Sequence, residues 1–458
     1  MNTKPQNSRF LPIYFVILIM LSLICAGCGK EIREISAQHS KDPNQITNNN
    51  SNSLKPFKEN TTNIESVRFA GVIQLPEKGK LFHGVHPGSE DGDEVFNPEN
   101  LEPYVKLVTE KNKPYFVYFS DEWGFEDEKD EMNPHDFPQK AVNTIIANGS
   151  IPFIRLMLRT SSDAAYECKG KKCQEKHFTL DNILGWDSTE NKALTGKRKE
   201  IHDKINKNLE AWGASARSHK GPLIIEFGTE VNNHTFHWNG KYNGKNTREG
   251  AILFQRAFRH IVKKIEGDDL GKSNITWVFH VTAESDPVED TENLMSKYFP
   301  DGTPDDPRNY VDWVGVSIYA ATDRKEACKT FAEQLNTALI DSAQSEGLKT
   351  MAKRGNRERP IFILEFGAPM NSEHPAQPCK PPIWTRAAFE TIFEYAKDGT
   401  LSGFSWWSER FKEEGKKLEF RPFKFDARYK QIYLNAVQNQ QKVISSPNQN
   451  PIFIKSPF

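Results

Sequence analysis

Short apolar runs alternate with longer amphipathic stretches through the middle of the chain. Several runs are almost continuously hydrophobic, as expected for parallel strands that are covered on both faces. Eight of them predict strands over Leu81–Val85, Tyr115–Ser120, Pro152–Met157, Leu223–Phe227, Ile275–Val281, Trp313–Tyr319, Ile361–Glu365 and Gly403–Trp407. The amphipathic stretches predict helices over Asn97–Lys111, Pro138–Ala147, Arg198–Ser218, Arg248–Ile265, Lys325–Lys353, Thr385–Lys397 and Ala427–Val437.

Eight such strands, alternating with helical stretches through right-handed crossovers, predict a closed (β/α)8 barrel, the TIM barrel of the α/β class. An open doubly wound sheet is the alternative, but no glycine-rich phosphate-binding loop follows the first strand. The length of 458 residues suits one barrel with insertions, because such barrels take roughly 250 to 400 residues. We assign the barrel to residues 66–440 and expect a loose tail over 441–458.

The first 28 residues have the pattern of an export signal. A positively charged start precedes an apolar run from Leu11 to Ile24, which is shorter than the ~20 residues that span a bilayer. Cys25-Ala26-Gly27-Cys28 resembles a bacterial lipobox, which implies cleavage before Cys28 and lipidation of that residue. An uncleaved N-terminal anchor is the alternative. Residues 29–65 are polar and repetitive, so we expect a disordered tether.

Both interpretations place the bulk of the protein outside the cytoplasm, in the bacterial cell envelope, facing the periplasm or the exterior. The membrane is then a partner through the N-terminal lipid. The formal net charge is −1, whereas nucleic-acid-binding proteins usually carry a basic excess. We therefore expect no nucleic-acid partner. We also expect a monomer.

Four cysteines remain if Cys28 carries the lipid, and an even number in an oxidising compartment predicts disulfides. Cys168 and Cys173 are close enough in sequence to close a small loop, and Cys328 would then pair with Cys379. A metal half-site is the alternative for the first pair. Its spacing is not CxxC, and no second Cys or His pair follows at a zinc-like interval. We expect neither a metal nor a cofactor.

Two glutamates stand where this fold places its working groups, at the C-terminal ends of strands. The fourth predicted strand leads through Gly228 to Glu230, and the seventh ends at Glu365. A carboxylate at the end of an apolar strand is costly to bury unless it is paired or has a function. For either glutamate alone, the alternative is a structural ion pair with a lysine or arginine. Strands four and seven place the two glutamates across the barrel mouth from each other.

That arrangement suits retaining glycoside hydrolysis, in which two carboxyl groups lie roughly 5 Å apart. One carboxyl group protonates the leaving oxygen while the other, ionised, attacks the anomeric carbon. Aromatic residues recur at the same strand ends, and sugar CH faces stack on aromatic rings. Each of these residues alone is more often a core residue, but together they favour a carbohydrate site: Trp123, Trp238, Tyr319, Trp406 and Trp407.

The stretch Gly228-Thr229-Glu230-Val231-Asn232-Asn233, followed by Trp238-Asn239-Gly240, resembles the acid/base motif of glycoside hydrolase family 26, the β-mannanase family. Further stretches are similar to that family in order and spacing over about residues 80–410. They are Phe258–Val262, Asn274–Val278, Val311–Tyr319 and Pro360–Gly367.

The resemblance implies a role for each matching residue. Glu230 would be the general acid/base, Glu365 the nucleophile, and Tyr319 the residue that orients the nucleophile. The sugar subsites would be lined by Trp238, by Trp406 or Trp407, and by His86. The family usually has histidine directly before the acid/base, whereas this chain has Thr229.

We therefore expect a retaining endo-β-glycanase that hydrolyses β-1,4-mannan by double displacement, with mixed-linkage glucan and xylan as the next substrates. Thr229 keeps open a catalytically silent barrel that binds polysaccharide. A purely structural envelope protein is a third alternative, and it leaves the aromatic residues without a role.

Overall fold

Eight parallel strands close into a barrel in the computed structural model, which describes residues 73–88, 101, 113–123, 125–126, 131–132, 135–158, 179–267, 273–321, 326–372, 374–413, 416–420, 427–439 and 442–444. Each strand pairs with the next in chain order, and the eighth pairs with the first. The strands are β1 Leu81–His86, β2 Phe116–Trp123, β3 Ile151–Leu158, β4 Leu223–Phe227, β5 Ile275–Thr282, β6 Trp313–Tyr319, β7 Ile361–Gly367 and β8 Leu401–Trp407. The predicted (β/α)8 barrel is confirmed.

The helices pack outside the barrel and cover its apolar outer surface. They are α1 Gln139–Ala147, α2 Leu180–Leu184, α3 Gly196–Ser218, α4 Thr247–Glu266, α5 Phe331–Leu339, α6 Leu348–Met351, α7 Pro381–Lys397 and α8 Ala427–Val437. Short strand pairs lie outside the barrel at Phe125–Glu126 with Glu131–Met132, Trp186–Asp187 with Lys192–Ala193, and Arg410–Glu413 with Lys416–Glu419. Val443–Ile444 pairs with β1 in parallel, so this part of the segment expected to be a loose tail, 441–458, joins the barrel sheet.

The single helix predicted over Lys325–Lys353 is wrong, because two shorter helices occupy this stretch. The first, α5, begins with a capping box in which the Thr330 side chain and the Glu333 side chain each bind the other's backbone N–H. It ends before Ile340, whose backbone is extended. The Asp341 side chain then accepts the N–H of Gly347 at 2.8 Å, so a short polar side chain competes with the helix for backbone groups.

The barrel interior is apolar at the N-terminal ends of the strands. Its lowest layer is aromatic, and the rings of Trp313 and Phe362 stack with centroids 4.0 Å apart. These rings fit because glycines face them: a Cβ at Gly84 would overlap the ring of Phe116, and one at Gly403 would overlap that of Phe362. This layer closes the barrel below the site.

Two residues further along the strands, the interior becomes polar. Phe153 on β3 is followed by Arg155, and Ile224 on β4 is followed by Glu226. Both charged residues are buried. A buried charge persists only when it is paired, so this layer has to be an ion-pair network.

Cys328 and Cys379 form a disulfide, which confirms the pairing predicted from the sequence. The bridge links the segment after β6 to the segment after β7. Cys28, Cys168, Cys173 and the tether over 29–65 lie outside the described residues. Within the residues that the structure describes, no helix is long and apolar enough to cross a membrane.

Candidate active site

The chain turns sharply where β4 ends, and this turn presents Glu230. Gly228 has a φ of +78°, and a Cβ there would overlap the ring of Phe254. Glu230 also has a positive φ, 47°, which is uncommon for a residue with a side chain. Such backbone strain is typical of functional residues that the surrounding structure holds in place.

Hydrogen bonds fix the turn that carries Glu230. The indole N–H of Trp238 donates to the carbonyl of Thr229 at 2.9 Å, and the backbone N–H of Val231 donates to the carbonyl of His280 on β5 at 3.2 Å. The Asn233 side-chain amide donates to Glu230 Oε2 at 2.8 Å. The carboxylate is therefore oriented by its own loop and attached to the neighbouring strand.

Glu365 lies near the C-terminal end of β7, with 3% of its surface exposed. The Tyr319 hydroxyl donates to Glu365 Oε2 at 2.6 Å. The β6–β7 register shifts between Val316 and Ser317, which places Ser317 opposite Glu365. A bulge of this kind redirects a side chain, and here the partner strand brings Tyr319 within reach of the carboxylate.

Arg155 joins two carboxylates inside the barrel. Its Nη2 forms an ion pair with Glu365 Oε1, and its Nε lies 3.2 Å from Glu226 Oε1. The guanidinium also lies 4.6 Å from the ring centroid of Tyr118 and 5.1 Å from that of Trp407. Ring faces attract cations, so aromatic and carboxylate groups together hold this buried charge.

Glu226 is completely buried and accepts several hydrogen bonds. The hydroxyls of Tyr118 and Thr229 both donate to its Oε1. His280 Nδ1 lies 3.0 Å from its Oε2. Burial alone would raise the pKa of Glu226, but the charge and hydrogen bond of His280, with Arg155 and Thr229, outweigh it and lower the pKa to about 2. Glu226 is thus ionised at neutral pH.

His280 extends this network toward β6. Its Nε2 lies 2.7 Å from the hydroxyl oxygen of Ser317, the residue opposite Glu365 in the sheet. Each ring nitrogen therefore has a polar partner inside the barrel.

His86 and Trp407 stack at the other side of the mouth, with ring centroids 4.0 Å apart. Burial, and then the charge of Arg155, keep the pKa of His86 well below its usual value, so the imidazole is neutral. A neutral imidazole offers one donor and one acceptor, which suits a sugar hydroxyl. The Glu409 carboxylate lies 3.6 Å from His86 Nδ1.

The structure places Trp406, a predicted sugar-subsite residue, in the core. Its side chain is fully buried, and its indole N–H donates to the carbonyl of Phe420 at 3.1 Å. Successive side chains of a strand point to opposite faces, so only one of Trp406 and Trp407 faces the barrel mouth. That residue is Trp407, which contacts His86 and the ring of Tyr319.

Trp238 is also in the hydrophobic core rather than on an open platform. It is 1% exposed, and its ring stacks on Phe236 with centroids 4.9 Å apart. Its contribution is to support the turn before Glu230. Trp123 is buried as well, and its indole N–H donates to Asp121 at 3.2 Å. The sequence pattern alone did not distinguish these supporting residues from sugar platforms.

Sequence reasoning missed Tyr118, Arg155, Glu226 and His280. A signal was present for two of them, since Arg155 and Glu226 are charged residues inside otherwise apolar runs. A charge in the middle of a buried strand requires a partner of opposite charge. The two residues are direct partners in the β3–β4 register.

One cluster among the described residues has the spacing of a metal site, namely Cys328, His374 and Cys379, whose ligand atoms lie within 4.8 Å of one another. Both sulfur atoms belong to the disulfide, so neither is a thiolate that binds a metal. This cluster is therefore a covalent link between two loops.

Comparison with solved structures shows the same barrel. A modular endo-β-1,4-mannanase of glycoside hydrolase family 26 from Cellulomonas fimi is 14% identical, with a TM-score of 0.51 over 82% of this chain and 75% of that one. A double mutant of the Cellulomonas fimi endo-β-1,4-mannanase is 14% identical, with a TM-score of 0.50 over 83% of this chain and 75% of that one. A Bacillus subtilis mannanase, BCman, is 13% identical, with a TM-score of 0.48 over 81% and 88% of the two chains.

By sequence, no family model and no curated protein match the chain. The chain shares the fold of the Cellulomonas fimi family 26 mannanase. In this chain, Glu230 follows β4 and Glu365 lies on β7. At 14% identity this likeness shows the fold alone.

Proposed function

We propose that the protein is a retaining glycoside hydrolase that cleaves a β-linked polysaccharide internally, with β-1,4-mannan as the first substrate. The observation that carries this proposal is the environment of Glu365. A buried carboxylate that accepts a tyrosine hydroxyl and forms an ion pair with a guanidinium, at the C-terminal end of a barrel strand, is suited to act as an oriented, ionised nucleophile.

The mechanism follows from the two glutamates. Glu365 attacks the anomeric carbon and forms a glycosyl ester, while Glu230 gives its proton to the departing sugar oxygen. Water then enters, Glu230 removes a proton from it, and the new hydroxyl displaces Glu365. Arg155 and Tyr319 keep the Glu365 carboxylate ionised and oriented before attack.

Mannan is the first candidate substrate for two reasons. The Cellulomonas fimi protein with the same fold is an endo-β-1,4-mannanase, and the sequence around Glu230 resembles glycoside hydrolase family 26. Mixed-linkage glucan and xylan are the next candidates. The neutral imidazole of His86 and the ring of Trp407 would contact an uncharged sugar at the mouth.

The test is reducing-end release from β-mannan, mixed-linkage glucan, xylan and cellulose by the protein without its export signal. Glu365→Ala and Glu230→Ala should both abolish release. Azide is a small anion that replaces a missing carboxylate, so it should restore turnover of an activated aryl glycoside. The azide product should have inverted anomeric configuration with Glu365→Ala and retained configuration with Glu230→Ala. Glu210→Gln, on the exposed face of α3, is the matched control.

Binding of a polymer without hydrolysis of any would favour the alternative, a barrel that binds polysaccharide and is catalytically silent. That outcome would leave the buried ion pair between Arg155 and Glu365 as a purely structural feature.

We also propose that the protein is exported and lipid-anchored through Cys28 in a bacterial envelope, and that it is a monomer. The lipobox-like sequence supports the anchor. Cys28→Ala should move the protein from the membrane fraction to the soluble fraction. Mass spectrometry of the wild-type N-terminal peptide should show acyl chains on Cys28. Light scattering of the protein without its signal should give the mass of one chain.

A further inference from the structure

Glu226 is a buried carboxylate that the double-displacement mechanism does not use. Its two oxygens have four donor groups around them, from Tyr118, Arg155, Thr229 and His280. Three of these donors, from Tyr118, Arg155 and Thr229, contact Oε1, and His280 contacts Oε2. Because these four side chains come from separate barrel strands or the turn after β4, a single buried carboxylate positions several of its neighbours.

One of these partners leads to Glu365. Arg155 uses Nε for Glu226 and Nη2 for Glu365, so a single rigid guanidinium spans both carboxylates. The guanidinium is planar, and its orientation is set once one edge is bound. Since Arg155 and Glu226 are also paired in the β3–β4 register, Glu226 determines where the other edge points.

Another partner leads to Glu230. The Thr229 hydroxyl donates to Glu226, and the next residue in the chain is Glu230, with its positive φ. Trp238 holds the carbonyl of Thr229 from the other side. The residue directly before the acid/base is therefore bound to the barrel interior.

We propose that Glu226 is a positioning residue that couples the two catalytic carboxylates, orienting Glu365 through Arg155 and Glu230 through Thr229. This proposal rests on the proposed function for its kinetic consequences, whereas its geometric consequences do not depend on activity. Thr229 then links Glu226 to Glu230 through its hydroxyl, which a residue without a hydroxyl does not do.

Glu226 also has an electrostatic effect over the reaction. Glu365 loses its negative charge when it becomes a glycosyl ester, and Arg155 then keeps Glu226 as its counter-ion. Without the charge of Glu226, Arg155 would interact with Glu365 alone. Glu365 would then be a weaker nucleophile, and its pKa would fall because a neighbouring negative charge is gone.

The first test is Glu226→Gln, which keeps the side-chain shape and removes the charge. The amide oxygen of glutamine still accepts from Thr229, so the link to Glu230 is kept and only the link through Arg155 loses its charge. We expect formation of the glycosyl-enzyme to slow by about 10- to 100-fold while its hydrolysis, which depends on Glu230, is not slowed, so that a pre-steady-state burst on an aryl glycoside disappears. The acidic limb of the kcat/KM profile should move to lower pH. An unmoved limb with both steps slowed equally would overturn the link through Arg155.

The second test compares Thr229→Val with Thr229→Ser. Valine has the shape of threonine without the hydroxyl, and serine keeps the hydroxyl. A displaced Glu230 slows glycosyl-enzyme formation most when the leaving group needs a proton. The kcat/KM of Thr229→Val, which reports that step, should therefore fall about 10-fold or more on poor leaving groups and little on dinitrophenyl glycosides. Thr229→Ser should restore the rate. Equal losses on both leaving groups, or no rescue by serine, would overturn the link to Glu230.

Crystal structures separate a failure of this proposal from a failure of the proposed function. If the wild-type protein hydrolyses nothing, the proposed function fails, and structures of Glu226→Gln and Thr229→Val still decide the coupling. Movement of Arg155 away from its present contacts in the first variant, and of the Glu230 turn in the second, would support it. Unchanged positions in both variants would overturn it.

Discussion

The Tyr319 hydroxyl donates to Glu365 Oε2 at 2.6 Å, from the C-terminal end of one barrel strand to that of the next. The contact depends on the register shift between β6 and β7. Tyr319 is partly exposed, and it also contacts the rings of Trp407 and Phe420. These contacts fix the phenol ring, so the hydroxyl reaches a carboxylate that is already oriented by Arg155.

Tyr319→Phe keeps the ring and removes this donor. A hydrogen bond to a charged group contributes roughly 1.5–3 kcal/mol, so we expect kcat/KM to fall about 10- to 100-fold. The pKa of Glu365 should rise because a donor to its ionised form is lost, and the acidic limb of the pH profile should move up. Tyr433→Phe, outside the barrel interior, is the control and should leave the limb in place. An unchanged limb in Tyr319→Phe would contradict the assigned role.

Removal of Arg155 should have a larger effect. Arg155→Met leaves the buried Glu365 without the cation it pairs with, and breaking a buried pair in this way costs about 3–5 kcal/mol of folding stability. We expect kcat/KM to fall on the order of 100-fold or more. Denaturant unfolding and kinetics on the same preparation measure both effects.

Arg155→Lys is the matched variant, because it keeps the charge but not the planar two-edged contact. It should recover most of the stability and only part of the rate. The acidic limb should move up in Arg155→Met, opposite to its movement in Glu226→Gln. Limbs that move in the same direction would show that the two residues do not act on Glu365 as described.

The strands of this barrel were predictable because they are short, almost continuously apolar runs bounded by polar segments. All eight predicted strands are present, with ends displaced by at most three residues. The predicted helix over Lys325–Lys353 failed because apolar spacing continues through a break that local hydrogen bonds create. Asp341 and Gly347 make that break, and a hydrophobic pattern does not show where a side chain binds the backbone.

The candidate site was less predictable than the fold. Glu230 and Glu365 were identified because each follows an apolar run. Trp406 and Trp407 are adjacent on β8, so their side chains point to opposite faces of the sheet. The sequence does not show which of the two faces the barrel interior. Arg155 reaches Glu365 from β3 to β7, and a contact between strands so far apart in sequence is visible only once the barrel is closed.

The two adjacent tryptophans of β8 should differ sharply when each is changed to phenylalanine. Trp407→Phe shortens the ring system that stacks on His86 at the mouth, so KM for the polymer should rise several-fold. Trp406→Phe removes buried core volume, so it should cost roughly 1–3 kcal/mol of stability and leave KM unchanged. Kinetics and thermal unfolding of both variants check this. A change in KM with Trp406→Phe alone would reverse the assignment.

His83 predicts a pH dependence of stability. It lies on the outer face of β1, where its Nε2 is 2.6 Å from the Tyr433 hydroxyl oxygen, and burial lowers its pKa from 6.5 to about 3. The unfolded chain binds a proton at this residue below pH 6.5, whereas the folded chain does not until about pH 3. The contribution of the neutral His83 to the free energy of unfolding is therefore fully present above pH 6.5. It decreases as the pH falls from 6.5 toward 3, by about 1.4 kcal/mol per pH unit.

His83→Gln removes the titrating ring and keeps a donor and an acceptor at this position. The free energy of unfolding is measured in denaturant between pH 8 and about pH 4. As the pH falls, it should decrease less steeply in the variant than in the wild type, and the difference in slope should correspond to one bound proton. Above pH 7.5 the two curves should run parallel, because neither state of the wild type then binds this proton at His83. Parallel curves over the whole range would show that the folded state protonates His83 as readily as the unfolded chain does, and would contradict its burial as a neutral imidazole.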